Sequence, residues 1–299
     1  IIALSSCGND WLDLSPTNKT ETGAAITKLS DAQSALIGIY DQMQDYEYYG
    51  ARMVYYGDVT GDDFQSNGDT KRCASFYRYA YTAENAPSSL WSQPYKVIRF
   101  ANNILSALEK LELKESEKRE FDDIKGQALF LRAMAHFDIT KVYGYPYTKD
   151  NGASWGAAIV KTPTTYNDKP SRSTVADCYN KLIIPDLIEA SQLMSGTQSA
   201  TQGRVNKWCA ELLLSRAYLY IGDNKNALST AIECIQGAET AGYKLVSNSD
   251  YAASWKGRFS PETLFELVNS STDYPGNDGI AYLYWDKGYD DIILTQSFY

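Results

Sequence analysis

The chain has 299 residues, 44% hydrophobic and 22% charged, the balance of a folded globular protein long enough to bury a large core in one or two domains. Its formal net charge of −9 argues against a nucleic-acid surface, which needs a basic stripe. Five Cys without a CxxC pair and a single His leave no ligand set for zinc, and no apolar run of about 18 residues is present to span a membrane as a helix.

Aromatic content stands out at 13%, with 24 Tyr and 6 Trp. These side chains join an apolar ring to a hydrogen-bonding group and suit packed helices and wet binding surfaces alike. At the start, Leu4-Ser5-Ser6-Cys7 has the form of a lipoprotein signal box, with cleavage before Cys7 and acylation of it. A lipid chain there would anchor by about 0.8 kcal/mol per buried CH2. The plainer reading is an ordinary free Cys. A polar stretch then leads to Ser30 and Gln33, which read as a capping box opening a helix with Ala32, Leu36, Ile39 and Met43 on one face.

The next stretch is aromatic and irregular, with Tyr46, Tyr48, Tyr49, Tyr55 and Tyr56. The loop Gly57 to Phe64 carries Asp58, Asp62 and Asp63. It offers the oxygens a hard cation wants, but it lacks EF-hand spacing and reads as a solvated turn. Phe76, Tyr77, Tyr79 and Tyr81 follow in a pattern that predicts an extended segment. Pro87 opens a helix through Trp91, Tyr95, Ile98, Asn102, Leu105 and Leu108. A buried Asn102 needs partners, so it is predicted to bind a neighbouring backbone.

From Ser116 to Pro146 the pattern is the clearest in the chain. Phe121, Ile124, Ala128, Leu131, Ala135, Ile139 and Val142 form one stripe, and Phe130, Ala133, Met134 and Phe137 lie off it. A helix apolar on more than one side belongs inside, with neighbours on several faces. His136 sits among these residues and reads as a packing residue rather than a catalyst. After a loop-like run to Ser173, Thr174 and Asp177 open another helix, in which Pro185 predicts a kink. Asn206 to Ile221 and Ala227 to Ile235 then form a helical hairpin around Gly222-Asp223.

That hairpin resembles a tetratricopeptide unit in Arg216-Ala217-Tyr218-Leu219, Ala227 and Ala231, and Leu129 to Ala133 partly repeats Leu213 to Ala217. Cys209 and Cys234 should be near neighbours across it, as two buried thiols or a bridge. Beyond Gly242, Tyr243 to Val246 reads as extended and Glu262 to Val268 as a buried strand. The tail from Tyr282 to Asp291 is dense in rings beside carboxylates. The predicted fold is mostly α, built from tetratricopeptide-like helix pairs with irregular loop-rich segments and a few short strands.

The order of these features resembles the SusD/RagB family of outer-membrane lipoproteins. The matching pieces begin with Cys7 followed by Trp11-Leu12-Asp13 and Pro16, and continue with Ala35 to Asp41, Trp91 and Tyr95 before Ala101 to Leu105, and Gly126 to Ala133 leading to Tyr143-Gly144. Gly203 to Ala210, Tyr218 to Asp223 and Glu262 to Val268 complete the set. The resemblance implies a lipidated tether over 1–29, a helical scaffold with inserted aromatic loops over 30–242, and the start of a loop-rich, incomplete ligand-binding region over 243–299.

It further implies a non-enzymatic, cofactor-free protein, lipid-anchored at Cys7 and exposed on the outer membrane. Such a protein captures oligosaccharides or similar nutrients for a SusC-like TonB-dependent transporter. Sugars present flat C–H faces and rings of hydroxyls, so a binding site wants open rings with carboxylates alongside. Trp285, Tyr284, Tyr282, Phe64 and Tyr77 are the candidate stacking groups, and Asp63 and Asp286 the candidate acceptors. The competing reading is a protein- or peptide-binding helical-repeat scaffold. A glycoside hydrolase would need two carboxylates flanking one bond, and nothing in the sequence pairs them so.

Overall fold

The computed structural model describes residues 25–298 apart from 83, 85 and 198–202. Cys7, Trp11-Leu12-Asp13 and Pro16 lie outside the described residues. The described chain runs through α1 (Leu29–Met43), α2 (Arg52–Val59), β1 (Phe64–Ser66), α3 (Ala74–Tyr77), α4 (Ser89–Leu108), α5 (Lys118–Tyr143), α6 (Val175–Cys178) and α7 (Ile184–Leu193). It continues through α8 (Lys207–Tyr220), α9 (Asn224–Thr240), α10 (Tyr251–Ser254), α11 (Ile280–Tyr284) and β2 (Ile292–Leu294). Helices dominate, as expected from the sequence.

The centre is α5. Every residue from Gly126 to Thr140 is buried, polar ones included, which is what an apolar pattern on more than one side predicts. α4 and α7 pack on it, α1 lies on α4, α8 on α7 and α9 on α8, so successive helices stack side by side. Small residues such as Ala101, Ala128, Ala133, Ala190, Ala210 and Ala217 are buried, and so are the large side chains Leu131, Ile139 and Leu187, with almost no exposure. Each such large side chain contributes about 1.5–3 kcal/mol relative to leaving it in water.

Capping follows local chemistry where a side chain is in reach. The Thr174 hydroxyl accepts from Asp177 N at 3.0 Å, and the Asn206 side chain accepts from Trp208 N and Cys209 N. Gly222 takes φ +82° at the turn into α9, a conformation that favours glycine. At α1 the expected Ser30–Gln33 box does not form. The helix starts at Leu29, and Asp31 instead accepts from both the backbone N–H and the hydroxyl of Thr27. Before Pro185, residues Tyr179–Ile183 form a π-helical turn between α6 and α7. The proline lacks the N–H needed to continue the ordinary ladder, so the irregularity falls where the kink was predicted.

Two buried polar groups tie the stack together. The Arg132 guanidinium donates to both oxygens of Asp186 (2.7 and 2.9 Å), to Asn102 Oδ1 (2.9 Å) and to the Lys161 carbonyl (3.0 Å). Asn102 donates in turn to the carbonyls of Val160 and Thr162, so it binds a neighbouring backbone as predicted. His136 is fully buried, with Nδ1 2.9 Å from the Arg132 carbonyl and Nε2 accepting from Val160 N. Burial pushes its pKa down to about 4. It is a packing residue, as the sequence suggested.

In the α8–α9 hairpin, Cys209 and Cys234 are both free thiols. The Cys234 thiol donates to the carbonyl of Trp208, Cys209's neighbour, and the Cys209 thiol to Leu264 O. Trp208 Nε1 donates to Gly196 O, and its ring lies over Gly237 of α9. A Cβ at Gly237 would come within 2.1 Å of the ring. Alanine is the better helix former by about 1 kcal/mol. Gly237→Ala is nevertheless expected to destabilise by about 1–3 kcal/mol, because a pinned ring cannot yield cheaply. Urea unfolding tests this, and a variant as stable as the parent would mean that the ring has room to move.

Two sequence expectations are corrected. Phe76 to Tyr81 is not an extended segment: the short helix α3 ends at Tyr77, and Tyr79 has φ +52°. The turn lets Phe76 and Tyr81 meet at 6.2 Å, which an alternating strand would not. Glu262 to Val268 has no partner strand among the described residues. Side chains answer its backbone instead: Asn206 donates to Leu264 O, and Gln44 to Val268 O.

Candidate functional site

The two ring-rich stretches singled out in the sequence pack against each other. β1 pairs antiparallel with β2 in the register Phe64↔Leu294, Gln65↔Ile293 and Ser66↔Ile292. Asn67 N donates to Asp291 O (2.9 Å), and Thr295 N to Asp63 O (2.9 Å). The buried Asp291 carboxylate lies 3.4 Å from Lys71 Nζ and 3.7 Å from Arg72 Nε, so charge as well as backbone pairing joins the stretches.

Beneath this junction is a second small core of Ala51, Tyr55, Val59, Cys73, Phe76, Leu283 and Ile292. Phe64 and Tyr284 pack against it, their rings edge to face at 5.6 Å. The Tyr284 hydroxyl donates to Asp58, and burial together with that carboxylate pushes the phenol well above its usual range. Both side chains therefore turn inward, and neither presents the free ring face expected of it. The same contact engages one carboxylate of the acidic loop Gly57 to Phe64 in packing.

The outer side is open. Tyr282 meets Trp285 at 5.9 Å and Tyr289 at 5.2 Å, both edge to face. Trp285 is 51% exposed, and the Arg72 guanidinium lies 4.0 Å from the Tyr289 ring centroid. Arg72 Nη1 also reaches Asp278 Oδ1 at 3.3 Å. Tyr77 is half open on α3, and Asp63 and Asp286 are exposed.

Two clefts adjoin this platform on either side of the Tyr274-Pro275 turn. One, of about 420 Å³, is bordered by Asp41, Gln42, Asp45, Tyr46, Asp273 and Asp278. The other, of about 370 Å³, is bordered by Asn269, Asn277, Ile280 and Tyr282, and both include Gln44. Carboxylates and amides here can answer hydroxyl groups in both directions, while the rings offer faces for C–H contact.

Of the residues named from sequence, Tyr282 and Trp285 stand together on this open face. Tyr46, Arg72, Tyr274 and Tyr289 were not among the candidate binding residues, nor were the amides of Gln42 and Gln44. The turn Tyr274-Pro275-Gly276 was the one local signal for a ring held at a loop tip.

Residues 10–219 match the family described as SusD-like, starch-binding and associating with the outer membrane. No curated protein matches. Among solved structures, a Bacteroides vulgatus protein shares 47% identity with a TM-score of 0.87, over 92% of this chain and 62% of that one. A SusD superfamily protein from the same organism shares 37% identity with a TM-score of 0.86, over 91% and 62%. Another from Bacteroides thetaiotaomicron shares 35% identity with a TM-score of 0.83, over 91% and 61%. The chain thus spans about three fifths of the length of these relatives.

Proposed function

The chain belongs to the SusD-like family, and on that premise we propose that it captures oligosaccharides at the bacterial outer membrane without transforming them. The observation that carries this reading is the pair of exposed rings Trp285 and Tyr289, packed on half-buried Tyr282, beside two clefts bordered by carboxylates and amides. Ring faces hold the apolar side of a sugar, and Asp278, Gln44 and Asn277 receive and donate hydrogen bonds at its rim. Tyr77, Asp63 and Asp286 keep open side chains and extend the set.

Acylation of Cys7 is the tether, and a SusC-like TonB-dependent transporter is the partner to which ligand passes. The family's description as starch-binding and associating with the outer membrane supports both the ligand class and the location.

Calorimetry with malto- and β-gluco-oligosaccharides tests the reading. Trp285→Ala is expected to weaken binding about 10-fold, the loss of one stacking ring worth about 1–1.5 kcal/mol. Tyr284→Phe, which alters only the inner core, leaves affinity unchanged. Reducing ends do not appear on prolonged incubation. Failure of every oligosaccharide to bind, or equal affinity after Trp285→Ala, would remove the platform from the account.

A further inference from the structure

A cleft of about 430 Å³ opens elsewhere, between α5, α8 and the segment around Glu262 to Phe265. It shares only Tyr49 with the clefts beside the aromatic platform. Its apolar lining comes from Phe130, Met134 and Phe137 of α5, Leu213 of α8 and Phe265. At its base is Asp138, 2% exposed. One oxygen of that carboxylate accepts the hydroxyls of Tyr48 (2.7 Å) and Tyr49 (2.8 Å), and the other lies 3.8 Å from Lys141 Nζ. That charge is answered within the protein.

Two further charges border the cleft, and one of them, Arg216, also acts on the Asp138 carboxyl by its field. Arg216 on α8 and Glu262 on the facing segment both border it. Among the described residues, neither has an ion-pair partner within 4.0 Å. Glu262 accepts one backbone N–H, from Val246. The cleft therefore holds an open guanidinium, an open carboxylate and an apolar lining.

We propose that this cleft binds a small zwitterion with an apolar side chain, a free amino acid or dipeptide. Its carboxylate meets the planar fork of Arg216, which suits two parallel hydrogen bonds. Its ammonium group meets Glu262, and its side chain lies on Phe137, Met134 and Phe265. A neutral sugar would leave both charges unanswered and set hydroxyls against an apolar wall. An amphipathic anion would bring its charge near Glu262. The volume falls within the range of small-molecule sites.

Calorimetry on the whole chain with phenylalanine and leucyl-phenylalanine, each beside its N-acetyl and C-amide forms, tests the assignment. The uncapped ligands are expected to bind, and each cap to weaken binding about 10- to 100-fold, the loss of one charge-assisted contact. Arg216→Gln reproduces the effect of the amide cap and adds nothing to it. Glu262→Gln does the same for the acetyl cap. Both residues are exposed, so both variants keep the parent melting temperature and oligosaccharide affinity. Silence from all ligands up to about 10 mM, affinity indifferent to the caps, or parallel loss of oligosaccharide binding in Arg216→Gln would each overturn the proposal.

Discussion

Replacing Asp186 with alanine is expected to lower the unfolding free energy by about 3–5 kcal/mol. The Arg132 guanidinium is 7% exposed and faces Asp186 through two parallel bonds. Without that carboxylate, a full positive charge stays in the core with only Asn102 Oδ1 and the Lys161 carbonyl as acceptors. An exposed ion pair contributes about 0–1 kcal/mol, so the size of the loss distinguishes the two situations. Asp186→Asn keeps one acceptor and should cost less than Asp186→Ala. The double variant Arg132→Met, Asp186→Leu removes both charges and should recover part of the loss, leaving the orphaned acceptors at about 1–3 kcal/mol. Urea midpoints for the three variants check the order. A cost near 1 kcal/mol for Asp186→Ala would mean that water reaches the pair.

The pair acts more as a locating device than as a source of net stability. Burial raises the Asp186 carboxyl pKa, and Arg132 only partly pulls it back. What the group does is join four parts of the fold. Arg132 is on α5, Asp186 on α7, Asn102 on α4, and the carbonyls of Val160, Lys161 and Thr162 belong to the irregular segment between α5 and α6. That segment pairs its own backbone in strand fashion only where residues 154–157 meet Ser173 to Val175. Its Val160 to Thr162 stretch is held by side-chain donors reaching out of the helices, and His136 adds one more contact by accepting from Val160 N.

The helical frame was legible because its signals are local. Two-sided apolar periodicity marked α5, Thr174 and Asn206 marked helix starts, and Gly222 marked the hairpin turn. The errors fell where a local pattern has two meanings. Alternating rings at Phe76 to Tyr81 suit a strand, and they suit equally a short helix followed by a residue with positive φ. The apolar run ending at Val268 looked like a strand, yet its carbonyls are answered by Gln44 and Asn206 from far away in sequence.

The candidate site divides the same way. Rings beside carboxylates drew notice to Trp285, which is open, and to Tyr282, which is half-buried against it. The same composition drew notice to Phe64 and Tyr284, whose inward turn follows from the β1–β2 pairing and the small core under it. Arg72, Tyr46 and Gln44 are unremarkable until that pairing brings α11 and the Tyr274 turn against the region after α1. Long-range register decides which ring faces water, and composition cannot supply it.

Between pH 7 and pH 4, His136 should withdraw stability from the folded protein. An unfolded histidine titrates near 6.5, whereas burial holds His136 down at about 4. Between those values the unfolded chain binds a proton that the folded chain refuses, so stability rises with pH. The contribution is complete above 6.5, is lost progressively as pH falls, and is gone below about 4. At 1.36 kcal/mol per pH unit, that interval corresponds to about 3 kcal/mol.

Asp138 and Asp186 work in the opposite sense. Burial raises both carboxyls, so the folded chain takes up those protons more readily than the unfolded one and gains stability as pH falls. The parent's net slope mixes the two effects, and His136→Gln separates them. Gln can still accept from Val160 N but does not titrate. The difference in unfolding free energy between parent and variant should therefore shift with pH between 6.5 and 4 and level off on either side. Because the chain has one histidine, a single imidazole resonance reports the same event. It should stay in its neutral position through pH 6 and 5. Titration of that resonance near 6.5, or a parent–variant difference independent of pH, would mean that the ring is hydrated and carries none of the acid sensitivity.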